Sequence, residues 1–336
     1  MITASTPEGR RVASSRAVRS WFAPIAALVA LLPCAADAQL ASGLQGASGS
    51  TVGPDGALYV TESWVGRVSR IDPGTGVKST FAEGLPPTLP WIGLGGALDL
   101  AFLDGVAYVL VTMVGPDLGG TDVVGIYRVD GPAAVTPIAD IGNFNVANPS
   151  PTDWFIPTGV QYALEPWRGG FLVSDGHQNR VLRVTLDGDV SEFRAFENIV
   201  PTGLEVQGNT VYLAQTGPAP HLPGDGKVVA FGPGLGAAVE VTAGAPLMVD
   251  VERGRGRTLF ALAQGTWDGA FPGSPAIPQT GSLHEVRPDG SLRLVADGLD
   301  RPTSIEIIGN TGYVVTLGGE VWVVAGLAES PFGSAR

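Results

Sequence analysis

The chain has 336 residues, of which 44% are hydrophobic and 15% are charged, and it contains 48 glycines and 27 prolines. Its 32 acidic residues outnumber its 20 basic ones, which argues against nucleic-acid binding, because phosphate recognition needs clustered Lys and Arg. The single cysteine excludes a disulfide framework and a Cys-rich zinc module. This composition is typical of a turn-rich β protein with a packed core.

Residues 1–38 are typical of a secretory signal peptide. Four arginines precede an apolar run from Trp21 to Ala35, and Ala36-Asp37-Ala38 then places small residues at the first and third positions. The run is about 15 residues long, which is short of the roughly 20 that a membrane-spanning helix needs. We therefore predict cleavage before Gln39, an exported protein that is periplasmic or extracellular, and no stable membrane insertion after cleavage. The alternative is an uncleaved anchor.

Six repeated units follow the signal-like segment. Short apolar runs are separated by Gly, Asp, Asn and Pro, as in strands joined by tight turns. A second-strand pattern recurs about every 50 residues, which is the length of a propeller blade. The repeats predict an all-β, six-bladed β-propeller of four-stranded antiparallel blades over residues 39–327, with a disordered tail at 328–336. A β-sandwich does not account for a six-fold repeat. The six copies of the pattern are aligned on Tyr59, Tyr108, Phe171, Tyr212, Phe260 and Tyr313.

The last unit lacks a fourth strand after Val324. The segment Leu40–Leu44 (LASGL) resembles two predicted fourth strands, FAEGL at Phe81–Leu85 and VADGL at Val295–Leu299. We predict that this segment pairs with the strand at Glu320–Val324 and closes the last blade, which removes an open sheet edge.

The predicted connections differ in length between the two faces of the propeller. The 1–2 and 3–4 turns lie on one face and are mostly short, whereas the 2–3 and interblade connections lie on the other. Long loops on a rigid scaffold often carry function, although loose loops without a role are the alternative. Their aromatic residues suit a small-molecule or protein ligand. The long loops are Pro86–Gly95, Thr112–Val123, Gly142–Pro157, Thr216–Gly226 and Gln264–Gln279. The predicted ligand-binding residues are Trp91, Trp154, Phe155, His177, Trp267 and Phe271.

Oxygen-bearing side chains predict a second candidate site near the propeller axis. Asp99 and Asp250 lie in predicted first strands, while Glu62 and Asp175 end second strands and Asn179 follows four residues later. Oxygen ligands that converge on an axis suit Ca²⁺, so these five residues form a hypothetical calcium site. The alternative is that the two aspartates accept backbone hydrogen bonds and hold blades together.

A family resemblance is carried by five segments of the sequence: GPDGALYVTES (53–63), ALDLAFLDG (97–105), VSDGHQNRVLRV (173–184), VPTGLEV (200–206) and LMVDVE (247–252). In this order they resemble the ScyD/ScyE family of six-bladed propellers, which is related to NHL and gluconolactonase-like propellers. The resemblance covers essentially all of the chain after residue 38. It implies an exported propeller, and the gluconolactonase-like relatives imply an axial metal site.

These observations favour an exported, monomeric binding or scaffold module that acts through its long-loop face. The alternative is a calcium-dependent hydrolase or lactonase of gluconolactonase-like type at the axial mouth. The sequence has no GxSxG elbow, no HExxH motif and no P-loop, and its three histidines do not have zinc-ligand spacing. The sequence leaves open whether the protein is an enzyme.

Overall fold

Residues 38–151, 155–233 and 236–327 are described by a computed structural model, and within them the chain forms 24 β-strands, β1 to β24 in chain order. The predictions for the signal peptide and for the tail at 328–336 concern residues outside this part, apart from Ala38, which begins β1. Within the described ranges, no helix has the length and apolar character that crossing a membrane requires.

The strands form six antiparallel four-stranded sheets, as the sequence predicted, and each sheet is one blade. The first strand of each blade packs against the first strands of both neighbours, so six inner strands surround the channel. Blade 1 consists of β2 (Ala47–Val52), β3 (Leu58–Glu62), β4 (Arg67–Ile71) and β5 (Lys78–Glu83). Blade 2 consists of β6 (Gly96–Leu103), β7 (Val106–Thr112), β8 (Gly125–Gly131) and β9 (Ala134–Asp140). Blades 3 and 4 are β10 (Gln161–Trp167), β11 (Gly170–Asp175), β12 (Arg180–Thr185), β13 (Val190–Ala195), and β14 (Pro201–Gln207), β15 (Thr210–Gln215), β16 (Lys227–Phe231), β17 (Val239–Ala243). Blades 5 and 6 are β18 (Met248–Arg253), β19 (Leu259–Ala263), β20 (Gly281–Val286), β21 (Leu292–Leu299), and β22 (Pro302–Ile308), β23 (Thr311–Thr316), β24 (Glu320–Ala325), β1 (Ala38–Ala41).

The N-terminal strand closes the last blade, which confirms the prediction from the sequence. β1 runs antiparallel to β24, with Ala41 opposite Val321. The strand begins two residues earlier than the predicted segment, and the pairing ends where the Leu44 N–H donates to the Gly319 carbonyl oxygen at 3.0 Å. The equivalent bond in blade 1 joins the Leu85 N–H to Gly66 at 3.1 Å. The likeness of LASGL to FAEGL therefore reflects the same position in the blade.

The hydrophobic core lies between the blades. Six clusters of buried apolar side chains each combine residues from two neighbouring blades, including the pair formed by blades 6 and 1. Between blades 1 and 2, for example, the Tyr59 ring meets those of Phe81 and Phe102 edge-on, with both centroid distances 4.9 Å. Because each cluster needs two blades, closing the ring completes the core.

Local sequence explains the tight turns. At the 1–2 turn of blade 2, Asp104 and Gly105 have φ of 50° and 82°, which is the left-handed geometry of a type I′ hairpin turn. The helix α1 (Ile141–Ala147) was not predicted, because it lies in a segment that the sequence indicated to be loop. Asp140 caps it by accepting from the Asn143 N–H at 2.8 Å. At seven residues, α1 is too short to show a helical period.

Strand register corrects the alignment of the repeats in one blade. Opposite the inner strands, Tyr108 is equivalent to Tyr59 as predicted, whereas in blade 3 the equivalent residue is Leu172, one position away from the predicted Phe171. All six inner strands also shift register once against their second strands, between Ala97 and Asp99 in blade 2 and between Met248 and Asp250 in blade 5. The predicted axial aspartates therefore lie at bulges, which re-aim side chains.

Candidate functional site

The propeller has a long-loop face and a short-turn face. The long-loop face consists of the 2–3 loops and the interblade connections, and the short-turn face of the 1–2 and 3–4 turns. The length difference is the one that the sequence predicted. The longest connections of the long-loop face are residues 84–95, 113–124, 141–160, 216–226 and 264–280.

Hydrogen bonds join the first three of these long loops. The Trp91 indole N–H donates to the Leu118 carbonyl oxygen at 2.9 Å and links residues 84–95 to residues 113–124. Asp117 Oδ2 accepts from the Thr158 N–H at 3.1 Å and from the Thr158 hydroxyl at 2.9 Å, which links the second loop to residues 141–160. The loops of blades 1 to 3 are thus one connected surface.

His177 positions the segment that carries Phe155. Its Nε2 accepts from the N–H groups of Phe155 at 2.8 Å and of Ile156 at 3.0 Å. The Phe155 ring stands edge-on to the imidazole, with centroids 4.3 Å apart. Burial lowers the pKa of His177, which agrees with an unprotonated Nε2 that accepts two bonds. His177 is therefore a support for the aromatic loop.

Trp267 joins the long loops of blades 4 and 5. The His221 ring meets the Trp267 indole edge-on at a centroid distance of 5.4 Å. The indole N–H donates to Ser274 Oγ at 2.8 Å, and the Ser274 hydroxyl in turn donates to Asp268. The bonds from Ser274 and from the Ala270 N–H hold the pKa of Asp268 below its ordinary value, so this carboxylate is ionised at neutral pH.

Three of the predicted ligand-binding residues expose large apolar surface. Phe155 is 70% exposed, Trp91 65% and Phe271 55%. Trp267 and His177 are mostly buried and support the loops instead. Trp154 lies outside the described residues. The predicted set thus divides into residues that present surface and residues that hold it in place.

The sequence analysis missed six exposed apolar residues on this face: Trp64, Val65, Leu94, Val146, Leu222 and Ile277. Trp64 is 60% exposed in the 2–3 turn of blade 1, and Leu222 and Ile277 are exposed in the loops of blades 4 and 5. Trp64 was missed because its connection is only four residues long and loop length was the signal used. The sequence nevertheless offered a signal for the exposure of Trp64. A large aromatic residue in so short a turn has little room to be buried.

Asp99 and Asp250 tie the inner strands of neighbouring blades together. Asp99 Oδ2 accepts from the Leu164 N–H of β10 at 2.7 Å. Asp250 Oδ2 accepts from the Ile305 N–H of β22 at 2.9 Å, and its Oδ1 accepts from the Val251 N–H at 2.9 Å. Burial raises the pKa of Asp99 to about 7 and that of Asp250 to about 8. The hydrogen bonds favour the structural interpretation of the two aspartates.

Each of these aspartates also packs against a glycine of the preceding blade. A Cβ atom at Gly49 would lie 2.1 Å from Asp99 Oδ1, and one at Gly203 would lie 2.5 Å from Asp250 Oδ1. The same Gly–Asp–backbone contact therefore occurs in blades 1–3 and again in blades 4–6. This repetition gives the inner ring approximate two-fold symmetry.

Glu62 lies in a buried ionic network of blade 1. It accepts from Arg67 Nε at 2.9 Å, from Arg67 Nη2 at 2.7 Å, from the Gln45 N–H at 2.7 Å and from the Ser69 hydroxyl. Burial by itself would raise its pKa, but the bonds from Arg67, Ser69 and Gln45 hold the pKa of Glu62 below its ordinary value. Both carboxylate oxygens are thus engaged within the protein.

Asp175 lies in a different buried network, at the long-loop end of blade 3. It accepts from the side-chain amides of Asn145 and Gln161 and from the N–H groups of Val160 and Gln178. Burial raises its pKa. Asn179 serves another connection, because its Oδ1 accepts from the N–H groups of residues 199 and 200, each at 2.9 Å.

The five predicted calcium ligands are consequently distributed over separate hydrogen-bond networks. Across the described part of the chain, no group of three or more His, Cys, Asp or Glu side chains is arranged to hold a metal ion. The donor set that the fold family implies therefore does not fit a calcium ion as the residues are placed here.

The short-turn end of the channel has an acidic mouth that the sequence analysis missed. Burial raises the pKa of Glu205 to about 7 and those of Glu165, Glu252 and Glu306 well above the ordinary value, with further upward shifts from neighbouring carboxylates at the latter three. The sequence pattern that could have revealed this site is a glutamate at the same aligned position of four units. It occurs in LEP (164–166), LEV (204–206), VER (251–253) and IEI (305–307). The cavity at this end has a volume of about 470 Å³. Five inner strands supply the residue at this position to its lining, namely Thr51, Glu165, Glu205, Glu252 and Glu306, and blade 2 supplies Phe102, which lies one position further along its strand.

Comparison with known proteins identifies the architecture. No protein-family model matches the chain, and no curated protein sequence matches it. Among solved structures, it is similar to a gluconolactonase from Xanthomonas campestris, with a TM-score of 0.60, 13% identity and coverage of 85% of this chain and 88% of that one. It is also similar to a putative glucose dehydrogenase from Thermus thermophilus, with a TM-score of 0.56, 17% identity and coverage of 85% and 98%.

A protein-binding propeller is similar to this chain as well. The nidogen/laminin complex contains a chain that matches with a TM-score of 0.53 and 14% identity, covering 77% of this chain and 84% of that one. At these identities the similarities establish the propeller fold alone, since propellers host both catalysis and binding. The choice between the two rests on the site.

Proposed function

We propose that this protein is an exported ScyD/ScyE-like propeller that binds a protein or a ring-bearing ligand on its long-loop face. The observation that carries the proposal is the exposure of Trp91 and Phe155 on the linked loops of blades 1 to 3, and of Phe271 on the linked loops of blades 4 and 5. Aromatic side chains that are exposed yet fixed in place are typical of binding hot spots, because they bury large area at little entropic cost.

The contacts beneath the rings strengthen this argument. The Trp91 N–H is already bonded to Leu118, so the ring offers its apolar faces to a partner. Phe155 is held from below by His177. Loops without a role would not need contacts that cross from one blade to the next, which argues against loose decoration.

Export is the second part of the proposal and rests on residues 1–38. Their charged, apolar and small-residue order is typical of a cleaved signal peptide. The intact mass of the exported protein tests it, because a product that retains Trp21–Ala35 contradicts cleavage before Gln39.

A selection from a random peptide library tests the binding function. The immobilised propeller should enrich peptides, and the variant Trp91→Ala/Phe155→Ala/Phe271→Ala should bind them at least about tenfold more weakly. Val77→Ala is the matched control, because Val77 is 65% exposed but lies on the short-turn face. Peptides that bind the triple variant as tightly as the parent would contradict the proposal.

A calcium-dependent lactonase at the axial mouth is the less supported function. Asp99 and Asp250 are engaged by backbone N–H groups of adjacent blades, and Glu62 by Arg67. A hydrolase of this type needs oxygen ligands that share one cation and leave a coordination position open.

A further inference from the structure

The long loops are acidic and contain no basic residue. The five longest connections of the long-loop face contain no Lys or Arg, although the chain has 20 of them. Their only charged residues are five aspartates: Asp117, Asp122, Asp153, Asp225 and Asp268. The exposed rings of Trp91, Phe155 and Phe271 therefore lie on loops whose charged residues are all acidic, and Arg301, in the short connection from blade 5 to blade 6, is paired with Asp300.

The short-turn face has a different composition. Its turns contain Arg168, Arg255, Arg257 and Arg287 besides their acidic residues. The turns of the short-turn face thus carry charges of both signs, whereas the five long loops carry negative charge alone.

The negative charge of the long loops is not neutralised within the described protein. The ion pairs of its described residues involve none of Asp117, Asp122, Asp225 and Asp268. Asp117 and Asp268 accept hydrogen bonds from uncharged donors, which fix their positions and leave their charge in place. Asp122 is exposed to solvent.

We infer that the long-loop face recognises a basic polypeptide segment in which Lys or Arg side chains alternate with apolar ones. This inference rests on the proposed function and specifies the partner. Cationic groups are attracted both by the carboxylates and by the faces of the exposed rings, whereas an acidic segment is repelled. A polypeptide fits better than a small molecule, because the exposed apolar residues are spread over the loops of blades 1 to 5.

Three synthetic peptides test the inference. One alternates tryptophan with lysine, and the other two replace every lysine by glutamine or by glutamate. With affinities measured by isothermal titration calorimetry, the lysine peptide should bind at least about tenfold more tightly than the glutamine peptide, and the glutamate peptide should bind least. The affinity of the lysine peptide should fall as salt rises from about 0.05 M to about 0.5 M, because exposed charges are screened.

Variants separate this inference from the proposed function. Asp122→Asn/Asp225→Asn should weaken the lysine peptide about fivefold at low salt and reduce its salt dependence, whereas Asp187→Asn on the short-turn face should leave both unchanged. If the glutamine peptide binds equally well and still requires Trp91 and Phe155, the charge inference is overturned and the binding function stands. If the binding of no peptide requires those two rings, both the charge inference and the proposed binding function are overturned.

Discussion

Two aspartates in the inner strands form hydrogen bonds that connect neighbouring blades. Asp250 reaches from β18 to the Ile305 N–H of β22, and Asp99 reaches from β6 to the Leu164 N–H of β10. Both side chains lie in a tightly packed ring where each opposing residue is glycine. A buried carboxyl that satisfies a backbone N–H of the next blade stabilises the ring, because the same N–H would otherwise be left without a partner.

We expect Asp250→Ala to lower the free energy of unfolding by about 2 to 4 kcal/mol, because it leaves the N–H groups of Ile305 and Val251 without an acceptor. Asp250→Asn should cost less, since the amide retains one oxygen. Asp297→Ala, an exposed carboxylate of β21, is the control and should change stability little. Urea unfolding measures all three. Equal stability of Asp250→Ala and the parent would show that these bonds do not support the ring.

Calcium provides the test of the alternative role of the same residues. If Glu62, Asp99, Asp175, Asn179 and Asp250 do not share a cation, millimolar calcium and chelator should leave the melting temperature of metal-free protein unchanged. A rise in melting temperature that Asp250→Asn or Asp175→Asn weakens would instead show that these side chains gather around calcium, since a ligand that binds the folded state stabilises it.

At the scale of elements, blade 6 combines strands from the two ends of the described chain. Its outer strand, β1, precedes blade 1 in the sequence, and its other three strands follow blade 5. Ala41 of β1, together with Leu44, which follows the strand, contributes to the apolar cluster between blades 6 and 1. Without β1, β24 becomes a free edge strand, and the last interblade cluster is exposed.

Deletion of Gln39–Leu44 should lower the melting temperature by about 10 °C, which corresponds to several lost backbone hydrogen bonds and some lost apolar burial. A chain that begins at Gln39 is the matched reference. Differential scanning calorimetry measures the difference. Melting curves that coincide would mean that blade 6 is closed in another way.

At the scale of the whole molecule, the channel gathers acidic groups from five blades. Four glutamates line its short-turn end, Asp99 and Asp250 lie on the inner strands that surround it, and the charge of Arg253 partly offsets the rise in the pKa of Glu205. Burial comes first among the causes that raise these carboxyl pKa values, and mutual repulsion adds to it for Asp250, Glu165, Glu252 and Glu306. Folding therefore favours the protonated forms.

Stability should fall as the pH rises from about 4 to about 8 on account of these groups. Their ordinary carboxyl pKa values are 3.8 and 4.5, whereas in the folded protein Asp99 and Glu205 titrate at about 7 and Asp250 at about 8. Over this range the carboxyl groups of the unfolded chain have released protons that the folded protein still holds. A rise in pH therefore stabilises the unfolded state relative to the folded state. The histidines oppose the trend, because burial lowers the pKa of His177, His221 and His284.

A variant isolates the contribution of the channel from that of the histidines. Glu306→Gln should raise the melting temperature at pH 8 relative to the parent and have little effect at pH 4, because the parent carboxyl is protonated there. Glu83→Gln, at an exposed position on β5, should match the parent at both pH values. Thermal melts across this range provide the measurement. A Glu306→Gln variant that loses stability at pH 8 would contradict the role assigned to the ring.

The sequence by itself determined the number of blades, their closure and the length of the loops. Turn residues such as Asp104-Gly105 act locally, and a repeat of about 50 residues is readable without knowing any contact. The match of LASGL to FAEGL was enough to place β1, because equivalent strands have the same burial pattern. The helix α1 was not predicted, because seven residues are too few to show the 3.6-residue spacing of apolar side chains in a helix.

Only the tertiary structure decided which side chains meet. Glu62 and Asp175 end equivalent strands, yet each is drawn into a network of its own blade by Arg67 or Asn145, and neither network is visible in local sequence. Conversely, Glu165 and Glu306 are far apart in the chain and line one cavity, because closing a ring of inner strands brings one position of every blade to the same end of the channel. Local turns and repeats depend on neighbouring residues, whereas convergence at an axis depends on the closed ring.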